Sequence, residues 1–158
     1  MKTILITGAA GFIGNVVWKR LEKKYRLIGI DNLSKKTSIP PVIDSLQSHL
    51  FFLEDINNLD GLPLPPLEAI IHLAAQTSVG ESVVDPLGDL RSNAEGTLRL
   101  SMLARQNNCK MIYASTNKVF GDLEGVTQPI SDLMPCDPTT PYGVSKCTGA
   151  QYVLDMLP

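Results

Sequence analysis

Residues 7–14 read TGAAGFIG. The stretch before it, KTILIT (2–7), is apolar and β-branched. The stretch after it, FIGNVVWKRLEKK (12–24), carries Ile13, Val17 and Leu21 at i, i+4 and i+8, with Lys and Arg toward its end. A continuous apolar run gives way to helical spacing across the glycines, so the segment predicts a strand, a tight turn and an amphipathic helix whose cations complement its dipole. Gly8, Gly11 and Gly14 are spaced GxxGxxG. Small residues there let the backbone turn sharply and approach a pyrophosphate, and the helix N-terminus offers free N–H groups to the anion. A glycine-rich turn without a ligand is the plain alternative. The flanking strand and helix favour a dinucleotide site.

Outward from this unit the chain keeps alternating. RLIGI (26–30), LFFL (50–53), AIIHL (69–73) and KMIYA (110–114) read as buried strands. PPVIDSLQSH (40–49) reads as a short helix opened by proline. A long helix is expected over 87–107, with an apolar stripe of Leu87, Leu90, Ala94, Leu98 and Met102. GLPLPPLE (61–68) is a proline-rich connector. Apolar strands separated by helices imply an α/β fold: a Rossmann-like doubly wound parallel sheet of about five strands, in the order 3-2-1-4-5. KMIYA then becomes an edge strand, which invites association. The loop from Ser115 to Pro141 is long enough to suggest a functional role or disorder.

The chain has 158 residues, sufficient for one domain with a core, and a formal net charge of −2. That charge argues against nucleic acid or an anionic membrane as partner. Lys35 and Lys36 form a local basic pair, read as a solvated turn. The cysteines are Cys109, Cys136 and Cys147, an odd number without CxxC spacing, so no metal site is expected and a reduced, cytoplasmic setting is the simpler reading. No apolar run reaches membrane-spanning length.

The candidate site residues collect at strand ends, where open α/β sheets bind ligands. Asp31 ends strand two, 17 residues after Gly14. A carboxylate there accepts hydrogen bonds from a ribose 2′-hydroxyl and repels a 2′-phosphate, which favours NAD; Lys35 and Lys36 keep NADP as the alternative. Asp55 and Ile56 follow strand three. HLAAQ closes strand four, where Ala74 and Ala75 let backbone approach a cofactor and His72 reads as a packing or capping residue. Ser115 and Thr116 follow strand five. Tyr142 and Lys146 then share one face of a helix opened by Pro141. An ammonium beside a phenol favours the phenolate, and such a tyrosine can take a proton from a sugar or alcohol hydroxyl.

Together, TGAAGFIG, DNLS, DI, HLAAQ, VGESV, NAEGTL, STNKVFGD and PYGVSK resemble the extended short-chain dehydrogenase/reductases, specifically the NAD-dependent nucleotide-sugar epimerase/dehydratase family, along the whole chain. The resemblance implies Thr116, Tyr142 and Lys146 as the catalytic trio. It implies that Gly8, Gly11, Phe12, Ile13, Asp31, Asn32, Asp55, Ile56, Leu73, Ala74, Ala75, Gln76, Asn93, Ser115, Tyr142 and Lys146 contact NAD. Within the family, STNKV and the segment after PYG are similar to CDP-paratose 2-epimerases, while VGESV and NAEGTLRL are similar to UDP-glucose 4-epimerases. Dehydratases carry an Asp-Glu pair where this chain has Asn117 and Lys118, and an amide and an ammonium cannot replace two carboxyl groups, so epimerisation of a nucleotide sugar is the implied reaction. Phe120 stands where the family usually has Tyr.

Family members run to about twice this length. The expectation is therefore an incomplete NAD-binding Rossmann domain over 1–158 without its substrate lobe, with little or no turnover on its own. Helices 87–107 and 142–157 are expected to form a homodimer face. A non-catalytic NAD-binding module and a reductase or dehydratase of the same family are the alternatives.

Overall fold

The computed structural model describes residues 1–156 apart from 36, 42–47, 124, 126, 128 and 132. The sheet consists of β1 (Thr3–Thr7), β2 (Arg26–Asp31), β3 (Leu50–Leu53), β4 (Ala69–His72) and β5 (Lys110–Tyr113). All pairs are parallel and the order is β3-β2-β1-β4-β5, as the alternation of elements implied. The expected helix over 40–49 falls largely outside the described residues.

β1 is buried along its whole length because it lies at the centre, with a helical layer on each face. On one face, α1 (Phe12–Leu21) packs Trp18 into a cluster with Ile4, Ile6, Ala9 and Leu27. The inward side chain is Trp18, and Ile13 at the start of the helix is exposed, so the buried stripe lies one step away from the Ile13–Val17–Leu21 line. On the other face, Leu5, Ile28, Ile30 and Ile70 meet Leu100 and Ala104.

After β4 come two short helices, α2 (Val79–Val84) and α3 (Pro86–Leu90), then a π turn (Arg91–Glu95) that runs directly into α4 (Gly96–Gln106). The expected helix over 87–107 is thus continuous helical backbone with a π turn inside it. Its stripe is corrected. Ala94 is buried as expected, but Leu87 is 64 % exposed, and Leu90 and Met102 also face outward. The buried face carries Asp89, Asn93, Thr97, Leu100, Ser101 and Ala104. Four of these side chains are polar, which is why apolar periodicity pointed to the wrong side. α5 (Pro141–Met156) lies against this face and crosses β5. β5 is an edge strand, as expected, and Ile112 on its free face is 61 % exposed.

Candidate NAD and acid/base site

The parallel register brings the carboxyl ends of the strands level. Thr7 pairs with Ile30 and with His72, His72 pairs with Tyr113, and Asp31 pairs with Leu53. The loops leaving these ends build one ledge.

Its first part is the glycine turn. Gly8 has φ +68°, and a Cβ there would lie 2.7 Å from the backbone nitrogen of Ala74, so the turn is pressed against the loop after β4. A Cβ on Gly14 would lie 2.1 Å from the Gly8 carbonyl oxygen, so α1 starts directly on the turn. Among the described residues no side chain caps α1, and its first turn has no acidic residue, which leaves its N–H groups to an outside anion. Phe12 is 87 % exposed beside them. The Asp31 carboxylate accepts from the Ala10 N–H at 3.0 Å and the Leu33 N–H at 2.8 Å. Those two bonds lock the turn to the end of β2 and leave further lone pairs for a ribose hydroxyl. Asn32 donates to Asp55 at 2.8 Å, joining the ends of β2 and β3. Ile56 sends its side chain into the core, which leaves only its backbone for the ledge.

The second part centres on Lys146, which is 3 % exposed. Its ammonium donates to the Ala114 carbonyl at 2.7 Å and lies 4.1 Å from the centre of the Tyr113 ring. Burial pushes its pKa down to about 8, against the opposing pull of Asp89. The same α5 turn carries Tyr142, whose backbone N–H donates to Ser82 Oγ at 3.1 Å. Helix α5 thereby sets Lys146 beside the segment leading to Ser115 and Thr116. Ser115 is exposed and Thr116 half-buried, and the Thr116 hydroxyl accepts the Lys118 N–H at 3.3 Å, capping the 3₁₀ turn Asn117–Phe120. Among the described residues, no hydrogen bond joins Thr116 to Tyr142.

Beneath the ledge runs a buried chain of hydrogen bonds. Thr97 Oγ1 donates to the Asn93 carbonyl at 2.5 Å, so it accepts from His72 Nε2 at 3.0 Å. Nδ1 of His72 then accepts from Thr7 Oγ1 at 2.7 Å, and that oxygen faces the Ala74 N–H at 3.3 Å. The direction of the chain fixes a neutral imidazole. Burial and the charge on Lys146 hold its pKa down near 3. His72 packs, as its sequence context suggested, and orients the Leu73–Ala74–Ala75–Gln76 loop. Gln76 and Asn93 meet there: the Gln76 N–H donates to Asn93 Oδ1 at 2.9 Å and Asn93 Nδ2 donates back to the Gln76 carbonyl at 3.0 Å.

The profile of the NAD dependent epimerase/dehydratase family matches residues 4–157. The chain belongs to this family. It is 35 % identical to the CDP-paratose 2-epimerase of Salmonella typhi, over 96 % of this chain and 52 % of that protein. It is 34 % identical to the UDP-glucose 4-epimerase of Neisseria meningitidis serogroup C, over 99 % of this chain and 48 % of that one. Among solved structures, the UDP-N-acetylglucosamine 4-epimerase of Methanobrevibacter ruminantium is similar with TM-score 0.86 and 28 % identity, covering 98 % of this chain and 50 % of that one. The UDP-glucose 4-epimerase of Thermus thermophilus, solved in complex with NAD, gives 0.82 and 29 %, covering 97 % and 50 %. The chain spans between a quarter and about half the length of the curated relatives it matches.

NAD is the cofactor of this epimerase/dehydratase family, and the ledge fits it. The uncapped α1 terminus and the pressed glycine turn suit a pyrophosphate, the Asp31 carboxylate suits a ribose, and the loop 73–76 is held open beside them. Sequence reasoning missed Asp89, Ser82 and Ser145, which fasten α5 from below. The signal for Asp89 was polar residues at i, i+4 spacing in 89–93–97–101, which reads equally well as a solvated face, and Ser82 and Ser145 lie outside that series.

Proposed function

We propose that residues 1–158 form the NAD-binding and acid/base part of a nucleotide-sugar epimerase. The observation that carries this reading is Lys146: a buried ammonium on the Tyr142 helix, fixed at the end of β5 and level with a glycine turn that suits a dinucleotide. Bound NAD supplies a reversible acceptor for hydride. Tyr142 takes the proton of a sugar hydroxyl and later returns it. Lys146 offers positive charge to the phenolic oxygen and to the nicotinamide ribose, and the Thr116 hydroxyl steadies the sugar oxygen. Asp31 selects NAD over NADP. The contacts with NAD run through Gly8, Gly11, Phe12, Ile13, Asn32, Asp55, the 73–76 loop, Asn93 and Ser115.

Asn117 and Lys118, both exposed just after Thr116, favour epimerisation over dehydration. The sugar half of the substrate is held by a lobe outside these residues. The outward apolar residues Val84, Leu87 and Leu90 suit a second copy of the chain.

Calorimetric titration tests the reading. Wild type should bind NAD saturably and more tightly than NADP. Asp31→Ala should lose about 10- to 100-fold in NAD affinity and narrow the gap to NADP, the effect of removing one charged acceptor. No binding by a chain shown to be folded would end the proposal. A non-catalytic NAD module is the second reading, favoured by Thr116, whose hydroxyl caps the 3₁₀ turn and, among the described residues, makes no hydrogen bond to Tyr142. Restored turnover when a substrate lobe is added in trans, lost in Tyr142→Phe, decides between the two. A reductase would instead accumulate a changed nicotinamide absorbance.

A further inference from the structure

Asp89 lies in α3, apart from the motifs of the cofactor and acid/base site, and is 1 % exposed. Its Oδ1 accepts from Asn93 Nδ2 at 3.0 Å and from Gln76 Nε2 at 3.1 Å. Its Oδ2 accepts from Ser145 Oγ at 2.5 Å. Both oxygens act as acceptors and every partner is a donor, the pattern of an ionised carboxylate. The donors come from the loop after β4, the π turn and α5. Ser145 directly precedes Lys146, and its hydroxyl also lies 3.0 Å from the Tyr142 carbonyl oxygen. One buried group therefore ties together the three segments that place the Tyr142–Lys146 pair.

We propose that Asp89 is the positioning residue of this site: its carboxylate clamps the first turns of α5 onto the π turn and the 73–76 loop, and so sets where Tyr142 and Lys146 stand. The functional consequence rests on the roles proposed for Tyr142 and Lys146; the clamp itself does not.

The surroundings single Asp89 out. From β5 Lys146 faces Tyr113, whose hydroxyl donates to the Lys146 carbonyl at 3.1 Å and whose acidity is weakened by burial. From β4 it faces His72, held neutral. On the other elements packed against α5, Glu81 of α2 is exposed and paired with Lys35 at 3.0 Å, and Lys118, Arg91 and Glu95 are exposed. Asp85, at the start of α3, faces Asp89 and raises its proton affinity, as burial does, against the pull of Ser145, Gln76 and Lys146.

The test is an NMR titration of the Lys146 side chain in the full chain, with Asp89→Asn as the charge variant. Asn keeps the shape of Asp89 and still accepts on one oxygen, so a purely structural role leaves the titration where it was. Wild type should titrate near pH 8, and Asp89→Asn should titrate lower by about one unit or more, the usual influence of a nearby opposite charge. An unchanged midpoint in a folded variant shows that Asp89 does not act on Lys146 and overturns the positioning role. Ser145→Ala keeps the charge and removes the donor to Oδ2. It should leave the midpoint in place and speed amide exchange in the first turns of α5 about tenfold, the equivalent of one hydrogen bond. Unchanged exchange overturns the clamp. If Asp89→Asn fails to fold, the Ser145→Ala exchange rates alone decide the clamp. NAD titration of the wild type is read separately, so failure of the cofactor reading and failure of this one give different results.

Discussion

The two faces of the sheet are held by opposite means. Under α1 the contact is mainly apolar, with Trp18 set among Ile4, Ile6, Ala9 and Leu27 and the buried His49 ring edge-on to it at 5.5 Å. Under α4 and α5 it begins apolar, at Leu5, Ile70 and Leu100, and turns polar toward the carboxyl ends of the strands, where His72, Thr97, Asn93, Asp89 and Ser145 are buried. Apolar contact is non-directional and sets area. Hydrogen bonds set direction as well, and an unmade buried one is costly. The polar interior lies under Lys146 and Tyr142, whose proposed roles depend on aim, and the mainly apolar one lies where a helix need only be attached.

The contrast can be broken from either side. Trp18→Ala should be the largest effect, about 3–5 kcal/mol of stability in urea unfolding, from lost burial and an unfilled cavity. It should leave the Lys146 titration unmoved.

On the polar face, pH is the lever. The folded His72 has a pKa near 3 against 6.5 for the unfolded residue. Between these values the unfolded chain binds the extra proton, so stability must fall as pH falls, by about 1.4 kcal/mol per unit from this group. Between pH 6 and pH 4 the loss should reach about 2–3 kcal/mol. In His72→Asn that share of the slope should vanish, and equal slopes in the two proteins would show that the imidazole does not stay neutral.

Thr97→Val should cost about 2 kcal/mol in thermal unfolding, because it strands the His72 Nε2–H and the Asn93 carbonyl without changing volume. A cost near zero would mean the chain of hydrogen bonds does not hold the face together. The smallest effect belongs to the surface. Glu95→Gln removes the pair with Arg99 at 2.9 Å on α4 and should cost only about 0.3–0.5 kcal/mol by the same measurement.

The same contrast explains what the sequence disclosed. The strands were legible to within a residue at either end, because buried parallel strands are continuous apolar runs. The positions of the glycine turn, Asp31 and the Tyr142–Lys146 pair were legible because a strand-turn-helix unit and a proline-opened helix carry local signals. Helix faces were less so. On α1 the inward residue is a tryptophan displaced from the aliphatic line, and on the 86–106 helix aliphatic residues point out while Asp89, Asn93 and Thr97 point in. Periodicity assigns apolar residues to the core, and it fails where burial is polar and each group finds its partner in a distant segment. Asp89 meets Ser145 across 56 positions and Gln76 across 13, a relation that no local pattern carries.

The strand order has a consequence for how the molecule comes into being. β1 precedes the other four strands of its sheet in the chain, yet it lies in the middle of them, and its β4 edge stays open until His72 has been added. Roughly forty residues separate the end of β2 from that point, which is several seconds of synthesis at ~5–20 residues per second. During that interval the strand buried along its whole length in the fold has one exposed ladder of amides, and contacts this far apart in sequence are slow to close. The nascent chain is most exposed to mispairing before β4 arrives, and a co-translational chaperone would act there.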